Sequence, residues 1–190
     1  MSLPLSILFW KKLFQETDIP AILLPWLANA DSMTRALEEA SGMPCQIVVQ
    51  KEGWQMPWAD EFELLLSDVG ATGCSPCWIR EVVIITRQPA IFARSVFPLK
   101  LIEQFPKLME LGSQSLGKTI FAEGSNAFQR GPIEVAEIST GQSLWEQVPP
   151  SLRPEACWAR RSMFDSAVSP FLLSEVFLPY VAESAGNLAG

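Results

Sequence analysis

The run Phe171-Leu172-Leu173-Ser174-Glu175-Val176-Phe177-Leu178-Pro179-Tyr180 is apolar on both of its period-2 rows, Phe171/Leu173/Glu175/Phe177 and Leu172/Ser174/Val176/Leu178. A strand of that kind has to be covered on both faces, and this demands a layered fold around it. Glu175 stands inside one of the greasy rows. Burying an ionised carboxylate without a partner is costly, so Glu175 is paired, held protonated or turned toward a cavity that takes a ligand; on an edge strand it would instead face water.

The rest of the chain supplies partners for such a strand. Gln46 to Gln50 is a β-rich run followed by Lys51-Glu52-Gly53 as a turn or bulge, and Cys77 to Thr86 is a strand in which Arg80 shares a row with Trp78, Val82 and Ile84. Arg87-Gln88-Pro89 turns the chain into a return strand from Ile91 to Phe97, and alternation recurs at Gln129 to Ile138 and at Trp158 to Ala167. Residues 4–29 read as short helical segments interrupted by prolines. Asp31 or Ser32 caps a helix that runs to about Ala40 and stops at Gly42-Met43-Pro44. Around Leu64 to Leu66 a short helix is expected, as is helical spacing over residues 99–111 broken at Pro106, and a further short helix ending near Phe121. The Pro-bearing stretch from Ser139 to Glu155 reads as a loop. With about six strands joined mostly by hairpin-length connections, the pattern predicts an α+β fold, an antiparallel sheet with helices over one side. One domain over residues 1–180 and a mobile tail of small and polar residues at 181–190 complete the expectation.

Composition narrows function. A net charge of -7 disfavours nucleic acid and anionic membrane surfaces as partners. The apolar runs Leu3 to Phe9 and Ile19 to Leu27 are too short to span a bilayer, and no basic segment precedes Leu3, so a cytoplasmic protein is expected. There is no histidine in the chain. Ser-His-Asp and Cys-His machinery and the common His-containing zinc sites are therefore excluded, leaving acid-base work to Glu, Asp, Lys, Cys or Tyr, or to a reaction that asks little of it.

Cys74-Ser75-Pro76-Cys77 matches the C-x-x-C of half a zinc site or a redox pair, but a second pair and a βαβ context are missing, so a turn before a strand is the simpler reading. Gly112, Gly117, Lys118 and Thr119 satisfy the spacing of a phosphate loop. The segment before them has a helical pattern and not that of a strand, which removes the nucleotide-binding reading and leaves only backbone N–H groups near Leu116-Gly117 that could meet an anion. Arg80 suits a planar carboxylate, because a guanidinium offers a two-pronged fork and stays charged when buried; an ion pair with a protein carboxylate, Glu175 being one candidate, is the structural alternative. Arg160 and Arg161 are neighbours on a strand, so at most one shares a cavity with Arg80, and the other is solvated or paired with Glu134 or Asp165.

Several segments taken in order resemble the chorismate pyruvate-lyase family: Trp26-Leu27 with Asp31-Ser32-Met33-Thr34, Trp78-Ile79-Arg80-Glu81, Arg94-x-Val96-x-Pro98 and Leu111-Gly112-x-x-x-Leu116-Gly117. Arg130-x-x-Ile133-Glu134, Trp158-Ala159-Arg160-Arg161-Ser162 and Leu172-Leu173-x-Glu175-x-Phe177-Leu178-Pro179 continue the series. The resemblance implies an enzyme that converts chorismate to 4-hydroxybenzoate and pyruvate for ubiquinone synthesis, with an antiparallel sheet, helical lids over a buried site, and no metal or organic cofactor. It also implies that Met33 and Leu116 offer backbone N–H groups to the ring carboxylate, that Arg80 clamps it, and that Glu175 meets the para-hydroxyl end. Arg80 and Glu175 are then the catalytic candidates, chorismate the expected partner, and a monomer the expected state. Glu175 either orients the substrate or, with a raised pKa, acts as an acid on the leaving group, and Arg160 or Arg161 holds the enolpyruvyl carboxylate. Cys74 to Cys77, the Pro-rich loop before Trp158, Ala159 in place of the usual glycine and the longer tail depart from the family's pattern. A small-molecule sensing domain of similar fold, of the kind attached to transcription regulators, is the alternative from another functional class.

Overall fold

A computed structural model of the chain describes residues 9–66, 75–120 and 127–186. The strands are β1 (Lys11–Lys12), β2 (Gln46–Gln55), β3 (Cys77–Ile85), β4 (Pro89–Pro98), β5 (Gln129–Arg130), β6 (Glu134–Ser139), β7 (Ala156–Asp165) and β8 (Phe171–Phe177). They form one sheet in the order β1-β6-β7-β8-β4-β3-β2, with β5 paired to β7, and every pairing is antiparallel. The helices are α1 (Leu24–Leu27), α2 (Met33–Ser41), α3 (Ala59–Leu66), α4 (Leu99–Gln104), α5 (Leu116–Ile120), α6 (Ser143–Gln147) and α7 (Pro179–Gly186). The α+β antiparallel expectation holds, with eight strands among the described residues in place of about six. Two of the additional strands are two-residue pieces, too short to show periodicity. The run from Gln129 to Ile138 divides at Gly131-Pro132, because Gly131 donates to the Met163 carbonyl and Pro132 has no N–H for the ladder.

β8 lies between β7 and β4, not at an edge, and both of its rows are buried. Residues directly opposite one another share a face, so the register defines two sides. On the front, Arg80, Ser95, Leu173 and Ser162 form one cross-strand row and Val82, Ala93, Glu175 and Arg160 the next. On the back, Glu81, Arg94, Ser174, Arg161 and Glu134 lie in a row.

Helices cover both sides, which corrects the expectation of cover on one. Leu27 of α1 and Met33 and Leu37 of α2 pack on the front with Val82, Ile84, Ala93 and Phe177. Leu101 of α4 and Leu116 and Ile120 of α5 close the far end of the same side against Phe97, Phe164 and Phe171. Behind the sheet, Leu65 of α3 meets Ile79, Val96 and Leu172, while Leu144 and Trp145 of α6 meet Val83, Phe92, Ala159 and Val176. α6 lies inside the stretch expected to be a loop, and its few residues between turns carry too little pattern to announce it. Helix α7 takes in the first part of the stretch expected as a tail at 181–190, whose residues 187–190 lie outside the described residues: Pro179 suits a first helical turn, and Val181 is buried against the α1 and α2 cluster.

Two local devices shape the front. Ser32 caps α2, its Oγ accepting from the Arg35 N–H at 3.4 Å, and Gly42 ends the helix at φ 66°. The β2–β3 register slips by one residue at Gln50, between Val49 and Lys51, so the expected bulge comes one residue early and the strand runs on to Gln55. No helix among the described residues is long and apolar enough to cross a membrane.

Candidate active site

Between α2, α5 and the front of the sheet lies a small cavity that opens to solvent. Met33, Arg80, Leu116 and Glu175, the four residues singled out from the sequence, all line it. Ser95, Ser115, Arg130 and Leu173 are among its other walls.

Arg80 stands at one end. Its guanidinium is buried, and one Nη donates to the carbonyls of Gly112 at 2.7 Å and Gln114 at 3.0 Å. Those bonds fix the plane of the group and tie β3 to the loop that starts α5. Its Nε lies 3.6 Å from the Glu52 carboxylate, too far for a hydrogen bond, and is left as a buried donor without an acceptor. Burial depresses the Arg80 pKa, and Glu52 offsets that only in part. Arg80 therefore does not pair with Glu175, the partner considered from the sequence. Met33 opens α2 and Leu116 opens α5, so each backbone N–H lies in a first helical turn, where no intrahelical acceptor exists.

The glycines that mimic a phosphate loop serve this end of the cavity. Gly112 has φ 48°, a left-handed turn that suits glycine, and its carbonyl faces Arg80. A Cβ on Gly117 would come 2.6 Å from Ser32 Oγ, so glycine there lets α5 rest against the cap of α2. Ser115 Oγ donates to Thr34 Oγ1 at 2.9 Å and joins the same two elements.

Glu175 occupies the other end, buried, with Oε2 accepting from Arg160 Nε at 2.7 Å and standing 3.7 Å from an Arg130 Nη. Burial alone would raise its pKa. The Arg160 and Arg130 charges and the Arg160 hydrogen bond outweigh that, and the net direction is downward. The arginines therefore favour the ionised form of Glu175, the direction opposite to the raised pKa that an acid on the leaving group would need.

The arginine pair also resolves. Arg161 faces the back, bonded to Glu134 at 2.8 Å and to Asp60 at 3.4 Å. Arg160 faces the front, its Nε bonded to Glu175 and one Nη to the carbonyls of Trp26, Leu27 and Asn29, while its other Nη is a buried donor without a partner. Arg130 is the residue to which the sequence reading gave no role. It donates to the Asn29 carbonyl at 3.0 Å, packs over Phe164, lines the cavity, and has a buried Nε without a partner. Burial lowers its pKa to about 10, with Glu175 opposing the shift and Arg160 adding to it. Cys77 opens β3 and is buried, and Cys74 lies outside the described residues.

Fold and cavity together define an α+β domain with an internal site that carries a guanidinium at one end and a carboxylate held between arginines at the other. The chain belongs to the chorismate lyase family, whose model matches residues 5–186. It is 34% identical over 179 residues to a probable chorismate pyruvate-lyase of Pseudomonas aeruginosa (strain UCBPP-PA14), covering 93% of this chain and 94% of that one. A protein of the same description from Halorhodospira halophila (strain DSM 244 / SL1) is 35% identical over 156 residues, covering 80% and 79%. Among solved structures, the effector domain of PhnF from Mycobacterium smegmatis superposes with a TM-score of 0.53 at 14% identity, covering 80% of this chain and 91% of that domain. That likeness concerns the fold alone.

Proposed function

We propose that this chain converts chorismate into 4-hydroxybenzoate and pyruvate, the step that supplies the aromatic ring of ubiquinone. The observation that carries this reading is the pairing of ends: an unspent guanidinium donor with two helix-start N–H groups at one, an ionised carboxylate at the other. Chorismate has a carboxylate and a hydroxyl para to each other across its ring, and family membership makes it the first ligand to consider.

In this reading the ring carboxylate meets Arg80 and the N–H groups of Met33 and Leu116, and the hydroxyl donates to Glu175. The reaction breaks the C3–O ether bond, moves the C4 hydrogen to the enolpyruvyl methylene and leaves the ring aromatic. It is redox-neutral, needs no co-reactant, and is driven by aromatisation. Correct placement of the side chain over C4 is then the main requirement, and a rigid two-ended site supplies it. An ionised Glu175 orients the hydroxyl and does not deliver a proton. The enolpyruvyl carboxylate goes to Arg130, which lines the cavity and has an Nη 3.7 Å from Glu175; Arg160 also keeps an unpaired Nη2 but is not among the residues that line the cavity. We place the enzyme in the cytoplasm as a monomer.

Ultraviolet absorbance of chorismate mixed with a small molar fraction of the protein tests the proposal. Complete conversion to 4-hydroxybenzoate with an equimolar yield of pyruvate is expected. Binding without product, the behaviour of a sensing domain of this fold, would refute it.

A further inference from the structure

Glu52 approaches Arg80 because of a single irregularity in β2. Val49 lies opposite Val82, so a regular antiparallel strand would continue with Gln50 opposite Glu81 and Lys51 opposite Arg80. That register would set an ammonium beside the guanidinium. The bulge at Gln50 advances the strand by one residue, which places Lys51 opposite Glu81 and Glu52 opposite Arg80, and turns the Glu52 side chain to the front.

The contact it makes is incomplete. Glu52 Oε1 lies 3.6 Å from Arg80 Nε, and both are buried atoms with no hydrogen-bond partner. A closed salt bridge would commit the Arg80 Nε–H to the protein. With no carboxylate nearby, the guanidinium charge would be balanced only by carbonyl dipoles. At 3.6 Å the carboxylate compensates charge without occupying the donor.

We propose that Glu52 is a positioning residue that competes electrostatically with the ligand's carboxylate for Arg80 and so governs release of the aromatic product. The inference rests on the reading of Arg80 as the carboxylate clamp. A carboxylate ligand arriving at Arg80 meets a guanidinium whose charge Glu52 already balances in part, with the negative charge of Glu52 a few ångströms away. The site therefore holds an aromatic acid less tightly than Arg80 alone would.

Calorimetric titration of benzoate and 4-hydroxybenzoate into wild type and Glu52→Gln reads this directly. Loss of one like charge at such a distance is expected to tighten both acids roughly tenfold. With chorismate, the steady-state rate of Glu52→Gln falls while its single-turnover rate stays at the wild-type value, because product leaves more slowly. Glu52→Asp keeps the charge and retains affinity within about threefold of wild type. Should Glu52→Gln fail to fold, Glu52→Ser removes the same charge from a side chain that is 22% exposed and carries the same expectation. Unchanged or weaker binding by the neutral variant overturns the proposal. Benzoate affinity is measured without turnover, so the two readings fail separately. A wild-type chain that binds benzoate but leaves chorismate intact refutes the lyase reading alone. Normal turnover with unchanged benzoate affinity in Glu52→Gln refutes the Glu52 role alone.

Discussion

The front and back of the sheet carry buried charge on the same strands, one residue apart, and treat it in opposite ways. Arg94 on the back gives Nε, Nη1 and Nη2 to Glu61 and Glu81 at 2.5–2.9 Å and lies over the Trp58 ring. Burial lowers its pKa, but the two carboxylates more than reverse that. Arg80 on the front, opposite Ser95 next along β4, keeps an unbonded Nε, and its pKa stays lowered. Arg130 repeats the front pattern. The back row clamps α3 to the sheet, since Glu61 comes from α3 and Glu81 and Arg94 from the strands. A buried ion whose partners are complete holds the fold; in the proposed reading, the buried ions with donors to spare beside the cavity serve a ligand.

That contrast can be broken from either side. Arg80→Ala is expected to lower kcat/KM about a thousandfold or more while circular dichroism shows a folded protein, the size of effect that follows loss of a preorganised charged contact. Near-normal turnover would remove the clamp. Arg94→Ala should do the reverse, reducing stability in urea unfolding by about 3 kcal/mol, because Glu61 and Glu81 remain buried without a counter-ion. Turnover per folded molecule should stay within about tenfold of wild type, the loss expected of a contact the substrate does not touch. Glu175→Gln sharpens the front. A neutral amide still orients the hydroxyl, so a fall in kcat of about tenfold is expected, whereas a loss of several hundredfold would indicate obligatory proton transfer. The same variant has a pH signature. Because the folded-state pKa of Glu175 is depressed, the stability it contributes is present above its unfolded value and disappears as pH falls through the folded one. The stability gap between wild type and Glu175→Gln in urea should therefore close on acidification below about pH 4. Gly117→Ala is the mildest change: its Cβ presses on Ser32 Oγ, so a loss of about 1 kcal/mol and a few-fold rise in KM are expected.

The sequence announced those parts of this arrangement that rest on strong patterns. β3, β4, β7 and β8 were readable from apolar alternation, and the two apolar rows of β8 already demanded cover on both faces, which helices on one side alone could not provide. Arg80 and Glu175 stood out as charges in greasy rows, and Arg160 and Arg161 were separable as opposite faces of one strand. What escaped depends on features without periodicity. The two-residue strands leave no pattern, and the bulge at Gln50 reverses which of Lys51 and Glu52 faces the site, a parity that composition cannot give. Arg130 was visible within a family motif, but its place beside Glu175 follows from β5 pairing with β7, a long-range contact.

The most direct test of the account follows the side-chain and backbone N–H signals by nitrogen-15 NMR as 4-hydroxybenzoate is added. Large downfield shifts of Arg80 Nε–H and of the Met33 and Leu116 amides are predicted, with the Arg94 signals unmoved. Saturable binding that leaves Arg80 Nε–H in place would contradict it.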